Sequence, residues 1–319
     1  MTPVPVFVGL DVAKATLDVA VRPSGDRWRV PNDEAGIAGL VARLQPLAPS
    51  LLVAEATGGF ERAAIAALAA AGLPVVVANP RQIRDFARAT GQLAKTDAAD
   101  AAILALFAER VRPAPRPLPS EAAQLLDALL TRRRQLLEML VAEKNRLGFA
   151  PRPLHRGIRQ HIRWLEHQVD DITKELAEQI EHSPVWRAQD DLLQSVPGVG
   201  PIVSAVLLAE LPELGALSHK QIAMLAGVAP LARDSGRLRG KRMIWGGRAS
   251  VRTALYLAAL CGRRWNPQLR PFYERLRAAG KPTKVALIAC ARKLLTILNA
   301  MMRDQARWQA PAPPLQHSC

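Results

Sequence analysis

The sequence predicts an α/β region followed by an all-α region. The first hundred residues alternate short β-prone runs with helical ones. Residues 120–147 and 158–182 are long, charged and leucine-spaced, and from Asp190 onward the chain is Ala/Leu-rich and helical. Val6 to Leu10, Leu17 to Val21 and Trp28 to Val30, separated by turn residues, read as a strand meander. Leu51 to Ala54 and Val75 to Ala78 are buried strands, followed by helical stretches at Phe60 to Ala71 and Arg81 to Ala89. A meander followed by β-α-β units gives a mixed sheet with helices packed on it. A last helix starts near Thr96 and ends before the Pro-rich segment Pro113 to Pro119, which reads as a linker.

Gly148, Pro151, Pro153 and Gly157 separate the two leucine-spaced stretches, so these are expected to fold as an antiparallel hairpin or short coiled coil suited to oligomerisation. The helical C-terminal part is interrupted by a Gly/Arg-rich segment from Gly227 to Gly247, and the tail from Pro311 is expected to be disordered. The predicted domains are therefore 1–112, 113–189 and 190–310, with 311–319 as a tail.

A chain of 319 residues that is 49% hydrophobic and 22% charged belongs to the globular class, which excludes fibrous and disordered readings. Cys261, Cys290 and Cys319 form neither a disulfide framework nor a CxxC pair, so a reducing, cytosolic setting is expected. The longest apolar stretch, Ala63 to Ala78, is broken by Gly72 and Pro74, and no membrane span or leader is expected.

The net charge of +15 is unevenly distributed. Residues 1–110 hold 11 basic and 11 acidic side chains, residues 111–190 hold 13 and 11, and residues 191–319 hold 19 and 6. Nearly all the excess positive charge therefore lies in the last 129 residues. Such segregation is the footprint of a polyanion-binding region beside one of a different kind.

Four acidic residues stand where an α/β sheet builds sites. Asp11 ends the first strand and Glu55 the fourth, and the carboxyl ends of strands are where ligands bind in such sheets. Asp97 and Asp100, three apart at the start of a helix, share one face. Carboxylates about 4 Å apart repel by roughly 4 kcal/mol at an effective dielectric of 20, so a converged set needs cations. Oxygen donors of this kind suit Mg²⁺ or Mn²⁺ and phosphodiester chemistry. Each residue also has a plainer role: Asp97 as a helix-dipole partner behind a Thr96 cap, Asp11 as a turn residue. Asp18, inside the second strand, ranks below them. The order strand-Asp, strand-Glu, helix Asp-x-x-Asp resembles the ribonuclease-H-like fold of the RuvC nucleases. The sugar-kinase and actin type of ATPase shares the strand order but needs glycine near the nucleotide, where this chain has Val12, Ala13 and Lys14.

In the basic region, Ser195 to Leu211 reads as a helix-hairpin-helix, with Pro197, Gly198 and Gly200 in a turn whose backbone N–H groups can hold a DNA phosphate. Downstream, Arg233, Arg237, Arg239, Lys241, Arg242 and Arg248 lie within sixteen positions, opposed only by Asp234. Each phosphate contact there would add about 0.9 to the salt slope of binding. Ser235, between Asp234 and Gly236, is expected on an exposed turn among cations that would stabilise an alkoxide and an attacked phosphate. Asp-Ser-Gly is equally an ordinary turn. Ser250 reads as the cap of a helix starting at Val251.

GLDVAK…E…KTDAAD followed by VPGVGP…GVAP…DSG…G…R…LY resembles, over nearly the whole chain, the DEDD transposases of insertion sequences. These are bridge-RNA-guided serine recombinases, a group that includes the Piv-type DNA invertases. The resemblance implies that Asp11, Glu55, Asp97 and Asp100 bind metal and that Ser235 is the nucleophile, forming a 5′-phosphoserine link and a free 3′-hydroxyl. It implies donor and target DNA and an element-encoded guide RNA as partners, so that base pairing carries sequence choice. It also implies a dimer to tetramer in which one subunit's tetrad completes another's serine site, in a bacterial, nucleoid-associated setting. The alternatives are a metal-dependent junction-resolving nuclease that uses water, and a non-catalytic nucleic-acid-binding regulator.

Other features are plainer. His155, His161 and His167, six apart, do not share a helical face. Trp164, Trp186, Trp245 and Trp265 are expected mostly in the core, as are Cys261 and Cys290.

Overall fold

The computed structural model describes residues 4–92, 97–115, 120–232, 234–236, 238–240 and 242–310, with backbone alone at 97, 98, 238 and 239. The chain forms two compact units, Met1–Leu118 and Pro119–Cys319.

The first unit is built on β1 (Phe7–Val12), β2 (Thr16–Arg22), β3 (Arg27–Pro31), β4 (Leu51–Glu55) and β5 (Val75–Ala78). Their order is β3-β2-β1-β4-β5, with β1-β2-β3 antiparallel and β1, β4 and β5 parallel. All five strands lie where the apolar runs predict them. The helices are α1 (Glu34–Leu44), α2 (Arg62–Ala70), α3 (Pro80–Ala89) and α4 (Asp97–Val111). Alternation divides the sheet's side chains between two layers. Val8, Leu10, Leu17, Val19, Leu52 and Ala54 pack on one side with Ile37, Leu40 and Leu44 of α1 and Ile65 and Leu68 of α2. Phe7, Leu51, Val53 and Ala78 pack on the other with Ile83 of α3 and Ile103, Leu104 and Phe107 of α4.

The sequence reading has no counterpart for α1. Its signals are local: Asp33 caps the helix by accepting from the Gly36 amide at 2.8 Å, and Ile37, Leu40 and Leu44 recur at helical spacing.

The second unit opens with α5 (Glu121–Phe149) and α6 (His155–Glu181), the expected helical hairpin. Each helix is about 40 Å long at 1.5 Å per residue. Leu136, Leu140, Ile162, Leu165 and Val169 form the seam, and Lys144 pairs with Glu166 across it at 2.8 Å. The base of the hairpin shares a cluster with α8 (Pro201–Glu210): Leu126, Leu130, Leu176 and Ile180 pack with Ala205. The remaining helices are α7 (Pro184–Gln194), α9 (His219–Leu225), α10 (Ala249–Trp265), α11 (Leu269–Ala278) and α12 (Thr283–Asp304). The Gly/Arg-rich interruption between α9 and α10 carries four two-residue strands, β6 (Pro230–Leu231), β7 (Asp234–Ser235), β8 (Leu238–Arg239) and β9 (Met243–Ile244).

Among the described residues α12 alone is long and apolar enough to cross a membrane by length and composition, which a search for uninterrupted apolar runs misses. Leu287, Cys290, Leu294, Leu295 and Leu298 of this helix form the centre of the second unit's core, against Val251, Leu255 and Ala258 of α10. Asn299, 4% exposed, ties that core to the loop before α9 by accepting from the Gly215 amide and donating to the Leu217 carbonyl, both at 2.9 Å.

Three expectations are corrected, two about the core and one about a helix cap. Cys290 is buried, with its thiol pushed up to about 11 by burial, but Cys261 is exposed because it falls on the outer face of α10. Trp164, Trp245 and Trp265 are exposed, and of these four tryptophans Trp186 alone joins a core cluster. Ser250 is not a cap: α10 begins at Ala249 after Arg248, and the Ser250 hydroxyl donates to the Glu210 carboxylate instead.

Candidate active site

In the first unit, strand register brings the acidic residues to one level. β1 and β4 are paired through Leu10↔Ala54, so Asp11 and Glu55 occupy the next step at the carboxyl ends of neighbouring parallel strands. Adjacent strands lie about 4.8 Å apart. Both side chains project toward the α3/α4 layer, since they alternate with Leu10 and Ala54, which face α1 and α2.

α4 runs antiparallel to β1 across this face. Phe7 packs in the cluster of Ile103, Leu104 and Phe107, and Gly9 lies under Ala101, Leu104 and Ala105. Two residues along a strand advance about 6.6 Å and four along a helix about 6 Å, so the level of Asp11 corresponds to the first turn of α4. That turn begins at Asp97 and contains Asp100. The Asp97 side chain and the Thr96 cap lie outside the described residues. Asp11, Glu55 and Asp100 are all partly buried and each is engaged in an interaction. Among the described residues no three His, Cys, Asp or Glu side chains are grouped closely enough to hold a metal.

The loop after Glu55 is held by Glu61 at the start of α2. Its Oε2 accepts from Thr57 Oγ1 at 2.7 Å, the Gly59 amide at 2.9 Å and the Thr57 amide at 3.1 Å. Burial raises the Glu61 carboxyl, but these donors outweigh it and hold the group below the usual carboxylate range. Asn32 donates to the carbonyls of Ala13 and Phe60 at 2.9 and 3.1 Å, joining this loop to the β1–β2 turn. The strand-end loops that flank Asp11 and Glu55 are therefore tied to each other.

Sequence reasoning underrates Asp18. It pairs directly with Asp11 across the β1–β2 hairpin and is 8% exposed. A hairpin pairs residues whose numbers share one total, here 29, so a turn centred between Lys14 and Ala15 matches 11 with 18.

In the second unit, Ser235 lies on β7, paired with Leu238 of β8, so the hairpin turns directly after Ser235, at Gly236. Gly236 has φ +54°, the left-handed conformation a tight hairpin turn requires. Asp234, Ser235 and Gly236 are exposed, as predicted. Asp234 steadies the hairpin: its Oδ1 accepts from Arg242 Nη1 at 2.8 Å and from the Gly240 amide at 3.2 Å. The outer pair, β6 with β9, carries exposed Leu231 and Met243. At the base, the backbones of Gly227 and Gly247 approach so closely, both at positive φ, that neither position has room for a Cβ.

Of the six basic residues assigned to phosphate contacts, Arg233, Arg237 and Lys241 lie outside the described residues, as does the side chain of Arg239. Arg242 is the exposed partner of Asp234. Arg248 is placed otherwise than expected: it forms a two-pronged ion pair with Glu213 at 2.5 and 2.8 Å and donates to the Glu210 carbonyl at 2.9 Å. It braces the base of the Gly/Arg-rich segment between α9 and α10.

The turn between α7 and α8 divides its roles. Gly198, at φ +104°, abuts α10, where a Cβ would lie 2.8 Å from Gly262 Cα, and the Pro197 carbonyl accepts from Asn266 Nδ2 at 3.0 Å. Gly200 caps α8 on an open side. The first part of the turn is committed to packing, and only the α8 end is open to a ligand.

Comparison with known proteins covers both units. A transposase model of the IS110 DEDD kind matches residues 8–148, and the IS116/IS110/IS902 transposase model matches residues 190–274. The chain is 28% identical to the pilin gene-inverting protein of Moraxella lacunata, across 93% of this chain and 96% of that protein. It is 26% identical to the IS116 insertion-element 44.8 kDa protein of Streptomyces clavuligerus, across 97% of each. A 120-residue stretch, 36% of this chain and 30% of the relative, is 41% identical to the IS900 42 kDa protein of Mycobacterium paratuberculosis. With the two transposase models together matching residues 8–148 and 190–274, the chain belongs to the IS110/IS116/IS902 family of insertion-element transposases and is a DNA-processing enzyme.

Proposed function

We propose that the protein cleaves and rejoins DNA through Ser235, assisted by a divalent cation at Asp11, Glu55, Asp97 and Asp100. The observation that carries this reading is the pairing of two features in one chain. Acidic residues stand level at adjacent strand ends facing the start of α4, and an exposed serine lies beside the tip of a basic hairpin. The strand order of the first unit supports a RuvC-like, ribonuclease-H type of sheet.

The donor set consists of carboxylates alone, which fits Mg²⁺ or Mn²⁺ and no softer metal. Such an ion supplies charge neutralisation and polarisation at a phosphodiester. Ser235 Oγ forms a bond to phosphorus as the bond from phosphorus to the 3′-oxygen breaks. The products are a 5′-phosphoserine and a 3′-hydroxyl, the serine proton passing to a base and the leaving oxygen taking one up. The 3′-hydroxyl of a second strand then displaces Ser235, restoring a phosphodiester. Arg242 and the neighbouring Arg233, Arg237, Arg239 and Lys241 hold the phosphates, with the α8 end of the Pro197–Gly200 turn contributing amides.

The excess of 19 basic over 6 acidic residues in 191–319 supports binding of donor and target DNA together with an element-encoded RNA, which would carry sequence choice by pairing. The hairpin of α5 and α6 supports assembly from dimer to tetramer, with residues 1–112, 113–189 and 190–310 acting as catalytic, assembly and DNA-joining parts in a nucleoid-associated enzyme.

The test is covalent trapping. Protein, RNA from the flanking element, Mg²⁺ and labelled donor and target DNA are run on a denaturing gel beside Ser235→Ala and Asp97→Ala. A protein-linked DNA band lost in both variants is expected. Cleavage with no linked band, unchanged in Ser235→Ala, would refute the serine mechanism in favour of a hydrolytic nuclease.

A further inference from the structure

The α5–α6 hairpin is charged in opposite senses along its length. Residues 144–165, which span the connection between the two helices, carry six basic side chains and no acidic one, whereas residues 166–181 carry six acidic and one basic. The near balance of charge across residues 111–190 conceals this division. Lys144 is paired with Glu166, and Arg146 with Glu143, which is 8% exposed. Arg152, Arg156, Arg159 and Arg163 are exposed, and their side chains make no hydrogen bond or ion pair among the described residues. Four cations at one end of a hairpin repel one another, and nothing within the fold neutralises them, so their charge is open to an anionic partner.

Arg156, Arg159 and Arg163 recur at helical spacing on the side of α6 away from the seam of Ile162, Leu165 and Val169, in a row about 10 Å long. Beside it Trp164 is 50% exposed, its ring stacked on His161 with centroids 5.9 Å apart, and His161 Nδ1 lies 3.4 Å from Glu143. Phe149, 93% exposed, closes α5 at the same end. The other exposed residues around the arginines on α6 are Gly157, Gln160 and His167, so this face lacks the apolar core on which a protein interface centres. A row of cations with uncovered rings beside it is what holds a single nucleic-acid strand. The cations follow the phosphates, and unpaired bases stack on the rings, which the bases of a duplex, already stacked on each other, do not.

We infer that the far end of the α5–α6 hairpin is a contact for a single nucleic-acid strand, with Arg156, Arg159 and Arg163 on phosphates and Trp164 against an unpaired base. The site lies outside the basic region 191–319 and goes beyond the assembly role proposed for the hairpin. It rests on the DNA-processing character of the family and is independent of Ser235 and of the cation.

The experiment is fluorescence anisotropy of the full chain with a labelled DNA strand of about 20 nucleotides, the RNA of the same sequence and the corresponding DNA duplex, at about 50 to 200 mM salt. The combined Arg156→Gln, Arg159→Gln, Arg163→Gln variant is expected to lower the salt slope of single-strand binding by about 2, at about 0.7 per phosphate, and to weaken that binding at least roughly tenfold. Trp164→Ala is expected to weaken single-strand binding roughly tenfold while leaving its salt slope within about 0.3 and duplex affinity within about twofold of the parent. Whichever of DNA and RNA loses more affinity in Trp164→Ala is the strand that the site prefers. An unchanged slope in the combined variant, a Trp164→Ala loss equal on single strand and duplex, or a parent that binds no single strand overturns the inference. A combined variant that sediments as a smaller assembly while its slope stays at the parent value also overturns it, giving this face to a second copy of the chain. The three arginines are exposed, so the variant is expected to fold, which circular-dichroism melts check. If it does not fold, Arg156→Gln decides alone: a slope lower by about 0.7 supports the contact and an unchanged one overturns it.

Discussion

Gly9 sets how close α4 comes to the sheet. A Cβ at this position would stand 2.8 Å from Leu104 Cβ and closer still to the Ala101 carbonyl oxygen and the Ala105 nitrogen. Ordinary carbon contacts begin near 3.5 Å, so Gly9→Ala demands a retreat of more than 0.5 Å from Leu104 and about 1 Å from the helix backbone. A helix backbone cannot rotate aside as a side chain can. Overpacking of this kind costs about 1–3 kcal/mol, and rigid backbone on both sides places Gly9→Ala near the upper end. For a unit of 118 residues, about 3 kcal/mol corresponds to a Tm lower by roughly 10 °C. The displaced helix carries Asp97 and Asp100, and a 1 Å misplacement of reacting groups costs about a hundredfold in rate. Circular-dichroism melts and DNA cleavage at 20 °C, where the variant remains folded, separate the two effects. A Gly9→Ala protein that melts within 2 °C of the parent and cleaves at the parent rate would refute the proposed close contact between α4 and β1.

Arg248→Met is expected to lower stability by about 1–2 kcal/mol in urea titration by stranding Glu213, while the salt slope of DNA binding stays within about 0.3 of the parent. A slope lower by about 0.9 would return Arg248 to the phosphate contacts. Glu61 has a depressed carboxyl, so its stabilisation is complete above the usual Glu value of 4.5 and fades as pH falls through its lower folded value. The difference in urea midpoint between the parent and Glu61→Gln should therefore be largest at neutral pH and shrink below pH 4.5, and a difference that grows on acidification contradicts the hydrogen-bond assignment. Thiol titration of the native protein should label exposed Cys261 within minutes and spare Cys290 until denaturant is added, because burial keeps the Cys290 thiol protonated. Early labelling of Cys290 would mean that α12 is not the core helix.

Local chemistry made much of this protein readable from sequence. Strands β1 to β5 are apolar runs bounded by turn residues, and the α5–α6 hairpin announces itself by leucine spacing around a Gly/Pro break. The strand-end positions of Asp11 and Glu55, the helix-start position of Asp100 and the exposed turn at Ser235 were legible for the same reason, since each depends on neighbours within a few residues. What depends on residues distant in the chain was decided only by the folded structure. The partnership of Arg248 with Glu213 spans 35 positions, and the docking of the Pro197–Gly198 turn on α10 spans more than 60. A charged or glycine residue looks the same in sequence whether it awaits a ligand or a neighbour. Cys261 and Cys290 show the same limit: both sit in apolar helices, and only the direction each helix turns to the core exposes one and buries the other. Asp18 is the most consequential case. Within its strand it reads as an isolated acid, and only register places it between Asp11 and Arg29, because pairing is fixed by hydrogen bonds between strands rather than by any property of the residue itself.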